Sequence, residues 1–220
     1  MSKVKAVIFD AYGTLFDVNS AAEKCKNQIG DKWEEFANYW RTTQLEYTWL
    51  RSLMKRHKDF WKVTEDSLDK SMKVFNINPN MREELLSLYK KLSTFPEVNE
   101  TLKQLKNKKL KLAILSNGSP DLLSELVNSN NLTEIFDDLF SIEEVKIYKP
   151  DNNVYEIPIN KYKIKPEEIV FLSSNTWDVS GGGNYGYQSV WVNRNNNIFD
   201  NLDYKPKYEI KNLKQLLDII

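Results

Sequence analysis

Cysteine and histidine are almost missing from this 220-residue chain: there is one of each, Cys25 and His57. A single cysteine excludes an internal disulfide and a cysteine-cluster zinc site, and it suits a reduced, cytoplasmic setting. A single histidine means that any Ser-His-Asp or Cys-His arrangement has to use His57. That residue stands in the basic run Lys55-Arg56-His57-Lys58, which reads as a solvated helix face. Net charge is missing too. Lysine plus arginine and aspartate plus glutamate both total 31, so nothing recommends nucleic acid or an anionic membrane as a partner. No apolar run approaches the ~20 residues that a membrane-spanning helix needs. The N-terminus enters a strand with no signal peptide before it. Repeats and low-complexity tracts are also lacking. The chemistry left to such a chain rests on carboxylates, lysine, arginine and hydroxyls.

What is there centres on Val7-Ile8-Phe9-Asp10-Ala11-Tyr12-Gly13-Thr14-Leu15. Four apolar residues, Ala6 to Phe9, stop at a carboxylate and a turn, the pattern of a strand buried on both faces. In open parallel α/β sheets, ligands bind just beyond the carboxyl ends of strands. Asp10 is therefore a candidate active-site carboxylate. An aspartate that merely opens a turn has the same local signature.

The length allows one large domain or a core with a modest insertion. From about residue 19 to 94 no convincing strand is found. Asp31 is expected to cap a helix whose apolar stripe runs Trp33, Phe36, Ala37, Trp40, Leu45, Trp49 and Leu53. Two more helices are expected over 64–75 and 79–92, the second with Pro79 in its first turn. From residue 95 onward, strands and helices alternate. Strands are expected at 110–115, 139–141, 169–172 and 189–192. Helices are expected at 98–108, from Pro120 with Ser119 as cap, from about Asp151, from Trp177 with an interruption at Gly181-Gly182-Gly183, and at 213–219. Asn193 to Asn201 reads as a surface loop. The alternation implies βαβ units. The expected fold is an α/β, doubly wound, Rossmann-like parallel-sheet core, residues 1–15 and 95–220, with an inserted α-helical cap domain, residues 16–94.

Polar residues follow the strand ends repeatedly: Asp10, Ser116-Asn117 and Ser173-Ser174-Asn175, with Lys149 and Asp178 at nearby helix starts. In a doubly wound sheet these converge on one crevice. Phe9 to Leu15 resembles the first motif of the haloacid dehalogenase superfamily. Leu115-Ser116-Asn117-Gly118 resembles its second, Lys149-Pro150 its third, and Ser173-Ser174-Asn175-Thr176-Trp177-Asp178 its fourth. Within the superfamily the chain is similar to the L-2-haloacid dehalogenases, through Tyr12, the Ser-Ser-Asn-x-Trp-Asp form of the fourth motif, and Arg41 in the cap.

Phosphatases of the superfamily carry a second aspartate two residues after the nucleophile, as general acid toward a leaving alcohol. Here that place is Tyr12. A positioned general acid is worth about 10²–10⁴-fold, whereas a halide leaves as a stable anion and needs no proton. Motif four also supplies phosphatases with an extra aspartate for Mg²⁺, where this chain has Ser174. No essential metal or other cofactor is expected.

The resemblance implies the following roles. Asp10 attacks the halogen-bearing carbon and forms an ester. Lys149 keeps Asp10 ionised, and Thr14 and Ser173 orient it. Ser116, with backbone N–H groups near Tyr12 and Asn117, cradles the substrate carboxylate. Arg41, with Asn175 as second donor, receives the halide. Tyr12, Leu45, Phe60 and Trp177 wall the reacting carbon. Asp178 is the base for ester hydrolysis, with Asn175, Ser174 and Lys149 holding the water and Tyr155 supporting the network. The expected reaction converts a short L-2-haloalkanoic acid to a D-2-hydroxyalkanoic acid and halide. A homodimer through the cap is expected, using an apolar surface of Trp33, Trp40 and Trp49. The competing readings are a Mg²⁺-dependent small-molecule phosphatase of the superfamily and a non-catalytic binding module on the same fold.

Overall fold

The computed structural model describes residues 4–220; residues 1–3, which open the segment 1–15, lie outside the described residues. Strand β1 is Ala6–Phe9, and all four side chains are fully buried. The chain then turns through Tyr12-Gly13-Thr14, with Leu15 N donating to the Ala11 carbonyl at 2.9 Å. Gly13 has φ +86°, a conformation that side chains other than glycine adopt at a cost. A Cβ there would also stand 3.2 Å from Ser174 Oγ.

Five helices follow: α1 (Ser20–Lys24), α2 (Lys26–Ile29), α3 (Trp33–Leu53), α4 (Phe60–Phe75) and α5 (Arg82–Tyr89). The sequence pattern misses α1 and α2, which are too short to show a period. Asp31 does not cap α3. Lys32 holds the cap position, and no side chain bonds there. The helix is held instead by its apolar stripe packed on α4. Helix α4 starts earlier than the stripe suggests, because Asp59 accepts from Lys62 N at 2.8 Å as a true N-cap. The stretch from Pro79 divides into a 3₁₀ turn, Pro79–Met81, and α5. The run containing His57 is not a helix face. It is the loop between α3 and α4.

The tryptophan surface expected for dimerisation is also corrected. Trp40 is buried and donates its indole N–H to the Thr64 carbonyl, and Trp33 and Trp49 are half-buried. Trp40 packs against α4 and α5, Trp49 meets Trp177, and Trp33 borders a cavity.

The chain returns beside its own exit. Asp17 N donates to the Ser93 carbonyl at 2.8 Å and Phe95 N to the Leu15 carbonyl at 3.1 Å. The alternation then runs α6 (Val98–Lys106), β2 (Lys111–Ser116), α7 (Pro120–Ser129), β3 (Asp138–Ser141), α8 (Asn152–Tyr162), β4 (Ile169–Ser173), α9 (Thr176–Tyr185), β5 (Gln188–Val192) and β6 (Tyr208–Ile210), ending in a 3₁₀ turn, Leu213–Asp218. Ser119 precedes α7 without a side-chain capping bond. Helix α9 is not interrupted by its three glycines. A Cβ on Gly181 would come within 2.5 Å of the Tyr155 hydroxyl, so this glycine lets the helix lie close on α8.

Among the described residues, the sheet order is β3-β2-β1-β4-β5-β6, and every neighbouring pair is parallel. The architecture is a doubly wound α/β core with a helical cap between β1 and β2. Strand order reverses at β1, so the crevice beyond its carboxyl end is where such a sheet binds ligands.

Candidate active site

Asp10 is the first residue past β1 and is 5% exposed. Its backbone N–H donates to Leu172 of β4, which fixes the turn to the sheet. The two carboxylate oxygens have unequal surroundings. Oδ2 accepts from the Thr14 hydroxyl at 3.0 Å, from Asn175 Nδ2 at 3.0 Å and from the Ser173 hydroxyl at 3.4 Å. Among the described residues, Oδ1 accepts only from Lys149 Nζ, at 3.2 Å.

Lys149 has no exposed side-chain surface and also donates to Asp178 Oδ2 at 2.9 Å. Burial alone would depress its pKa. The charges of Asp10 and Asp178 outweigh that, and the ammonium is held above its usual range. Its backbone N–H donates to Asn117 Oδ1 at 3.1 Å, so the Asn117 side chain ties the loop after β2 to the lysine. Asp178 is fully buried near the start of α9. The Tyr155 hydroxyl donates to its Oδ1 at 2.7 Å, and the Tyr187 hydroxyl holds the Tyr155 carbonyl. Burial, with the Asp10 charge adding to it, pushes the Asp178 carboxyl up to about 6. Burial likewise pushes the Tyr155 phenol well up, so it stays a donor.

Ser116 is buried at the end of β2, on the same sheet edge as Asp10, and its Oγ accepts from Gly118 N at 3.0 Å. Ser174 N donates to Thr14 Oγ1 at 2.8 Å, which turns the Thr14 proton toward Asp10. Asn175 Nδ2 has its second contact on the Tyr12 carbonyl at 3.4 Å, so both amide hydrogens are engaged. Arg41 reaches from α3 to the same carbonyl at 3.4 Å.

The Tyr12 ring lies between the cap rings of Phe60, with centroids 5.0 Å apart, and Tyr89, 5.8 Å and nearly parallel. Its hydroxyl is buried without a hydrogen-bond partner among the described residues. Trp177 meets Trp49 of α3 edge-on at 5.5 Å. Leu45 is half-buried, one turn past Arg41 on the same face of α3. A cavity of 440 Å³, bordered by Gly13, Trp33, Arg41, Ser174, Asn175 and Arg194, adjoins this cluster.

Sequence reasoning missed several participants. Arg194 donates to the Thr14 carbonyl at 3.0 Å, pairs with Glu97 and lies 3.9 Å over the Phe95 ring. It clamps the turn after β1 to the returning chain. Tyr148 donates to the Lys58 carbonyl across the cap boundary, and His57 pairs with Glu143 at 3.0 Å. Gln44, Thr64 and Tyr89 stand behind Arg41. No local pattern marks these residues, because each depends on a partner distant in sequence.

A divalent cation needs several oxygen ligands, carboxylates prominent among them. The residues here do not fit one. Asp10 and Asp178 each give an oxygen to Lys149, and Ser174 offers a hydroxyl in place of a carboxylate. Among the described residues, no three His, Cys, Asp or Glu side chains gather as a metal site.

The family model for haloacid dehalogenase-like hydrolases matches residues 4–186. The chain belongs to the haloacid dehalogenase-like hydrolases. Within that family it is 39% identical, over all of its length and 95% of the relative's, to an (S)-2-haloacid dehalogenase of Pseudomonas sp. (strain YL). The crystal structure of a dehalogenase superposes with a TM-score of 0.98 at 34% identity, covering 100% of this chain and 98% of that one. The L-2-haloacid dehalogenase of Xanthobacter autotrophicus, solved with chloropropionic acid covalently bound, superposes with a TM-score of 0.91 at 31% identity, covering 98% of each.

Proposed function

We propose that this chain hydrolyses short-chain L-2-haloalkanoic acids to D-2-hydroxyalkanoic acids through an ester on Asp10, with inversion at carbon. The observation that carries the reading is the unequal solvation of Asp10. Among the described residues, Oδ2 is held by three donors, and Oδ1 faces Lys149 alone. An oxygen relieved of donors is the better nucleophile, so Oδ1 attacks carbon. The C–O bond forms as the C–halogen bond breaks, and the electron pair leaves on the halide. Both amide hydrogens of Asn175 are engaged. Arg41, which has N–H groups to spare, therefore takes the halide, in place of the shared role expected from the sequence. Ser116, whose oxygen already accepts from Gly118, has its proton left for the substrate carboxylate, with the backbone near Tyr12 and Asn117. Tyr12, Leu45, Phe60 and Trp177 exclude water from the carbon during attack.

In the second step Oδ2 is the ester carbonyl oxygen. Thr14, Ser173 and Asn175 then form a ready set of donors for the negative charge that grows there. Asp178 takes a proton from water, the water oxygen bonds to the Asp10 carbonyl carbon, and Lys149 and Ser174 hold the water. The bond from that carbon to Oδ1 breaks, and the proton returns to the departing hydroxyacid oxygen. Tyr155 keeps Asp178 aimed. Halide release from resolved L- and D-2-chloropropionate, with and without EDTA, tests the reading. Release from the L form alone, unaffected by EDTA, supports it. Mg²⁺-dependent phosphate release from p-nitrophenyl phosphate, without halide release, overturns it.

The division into a core of residues 1–15 and 95–220 and a cap of residues 16–94 is part of the proposal, supported by the paired crossing at Leu15 and Phe95. So are a homodimer and a cytoplasmic location. Exposed Leu50, Leu53 and Met54 at the end of α3 support the first. The single cysteine, free and buried, suits the second. No described helix is long and apolar enough to cross a membrane.

A further inference from the structure

Arg41 makes no salt bridge among the described residues, yet its guanidinium is held in place. Nη1 donates to Gln44 Oε1 at 2.9 Å, one turn along α3. Gln44 is 1% exposed. Its Nε2 donates to Thr64 Oγ1 of α4 at 2.7 Å, and the Tyr89 hydroxyl of α5 lies 3.0 Å from Nε2 and 3.2 Å from Oε1. The Thr64 hydroxyl spends its one proton on the Phe60 carbonyl, at 2.7 Å. Toward Gln44 it can therefore only accept, so the NH₂ end of the amide must face Thr64 and the oxygen must face Arg41. A flipped amide would set donor against donor in a buried space, an expensive arrangement.

We propose that Gln44 is a positioning residue for the leaving-group arginine, with its amide orientation set by Thr64 and supported by Tyr89. The inference rests on the reading that Arg41 receives the halide. The neutrality of the amide is central to it. A carboxylate would orient Arg41 equally well but would neutralise the guanidinium and compete with the departing anion. An amide orients the cation and leaves its charge available. Residues from three cap helices converge on this one task, which ties cap packing to the chemical step.

The test is the rate of the first halide release in single turnover, for L-2-chloropropionate and L-2-bromopropionate. Chloride is the poorer leaving group and depends more on Arg41. A misplacement of ~1 Å can cost about 10²-fold. Gln44→Leu and Thr64→Val are expected to slow chloride release about 10–100-fold and bromide release less, with KM little changed. Thr64→Ser, which keeps the hydroxyl, should recover most of what Thr64→Val loses. Gln44→Glu should raise the bromide-to-chloride ratio while the protein stays folded. Arg41→Lys serves as control. If it leaves the ratio unchanged, the halide reading of Arg41 fails. If it raises the ratio while Gln44→Leu and Thr64→Val only lower the Tm, the positioning proposal is overturned. Should both of those variants fail to fold, Tyr89→Phe, which removes one hydroxyl, gives the same decision by whether its ratio rises.

Discussion

Replacing Asp178 by asparagine separates the two halves of the proposed reaction. The buried trio Asp10, Lys149 and Asp178 carries a net charge of −1 when all three are ionised. Asparagine leaves Lys149 paired with Asp10 at 3.2 Å and removes the repulsion between the two carboxylates. The amide oxygen can still accept from Lys149, with its NH₂ turned to the Tyr155 hydroxyl, which can accept while its own proton goes to the residue-178 carbonyl. The variant should therefore fold and still alkylate Asp10. What it loses is the base. A positioned general base is worth about 10²–10⁴-fold, or about 2.7–5.4 kcal/mol of barrier. Rapid-quench measurement with L-2-chloropropionate should show a burst of one chloride per site, then turnover slowed by that factor. The intact mass of the quenched protein should rise by the substrate residue without its halogen. Steady turnover at the wild-type rate with no burst would refute the role of Asp178. Loss of the burst itself, in a folded protein, would refute its restriction to the second step.

The pH dependence follows from the same group. Asp178 acts as base only when ionised, so decay of the pre-formed ester should fall about tenfold per pH unit on the acid side and level off above it, with the turn below about 6 because the Asp10 charge that helps raise the carboxyl is gone in the ester. In stability the sign reverses. A carboxyl held above its unfolded range favours the folded state below about pH 4, and that contribution is lost as pH rises through about 6. Lys149→Met leaves two buried carboxylates without their cation, so denaturant unfolding at pH 7 should show a loss of about 3–5 kcal/mol. The loss should shrink toward pH 5, and unchanged stability would contradict the buried trio. Gly13→Ala forces a Cβ into a left-handed turn at about 1–2 kcal/mol, which for a chain of this size is a fall of roughly 2–8 °C in Tm, with reduced activity through Ser174. An unshifted Tm would show that the turn relaxes freely.

Strand β1 and the polar strand ends were legible because each is a local pattern: a buried apolar run, then a carboxylate, hydroxyl or amide. The long cap helices were legible by their period. Strand β6 was not, since it has three residues at a sheet edge. The run through Gly181-Gly182-Gly183 misled because tertiary packing against Tyr155 and Phe171 overrides weak helix propensity. Trp40 looked like surface for the opposite reason: a stripe shows that one face is apolar but not what covers it. On sequence pattern alone Arg41 is an ordinary surface arginine, and only the family resemblance singled it out. Gln44, Thr64 and Tyr89 had no signal at all, because their meaning lies in the direction of one amide between three helices.

The central claim is that Asp10 bonds to the substrate carbon and that water then attacks Asp10. One turnover in H₂¹⁸O with enzyme in excess, followed by mass analysis of the hydroxyacid and of the peptide holding Asp10, tests it most directly. The account predicts ¹⁸O in the Asp10 carboxylate and none in the product. Label in the product with none in Asp10 would mean that water attacks the halogen-bearing carbon directly, and the ester mechanism would be wrong.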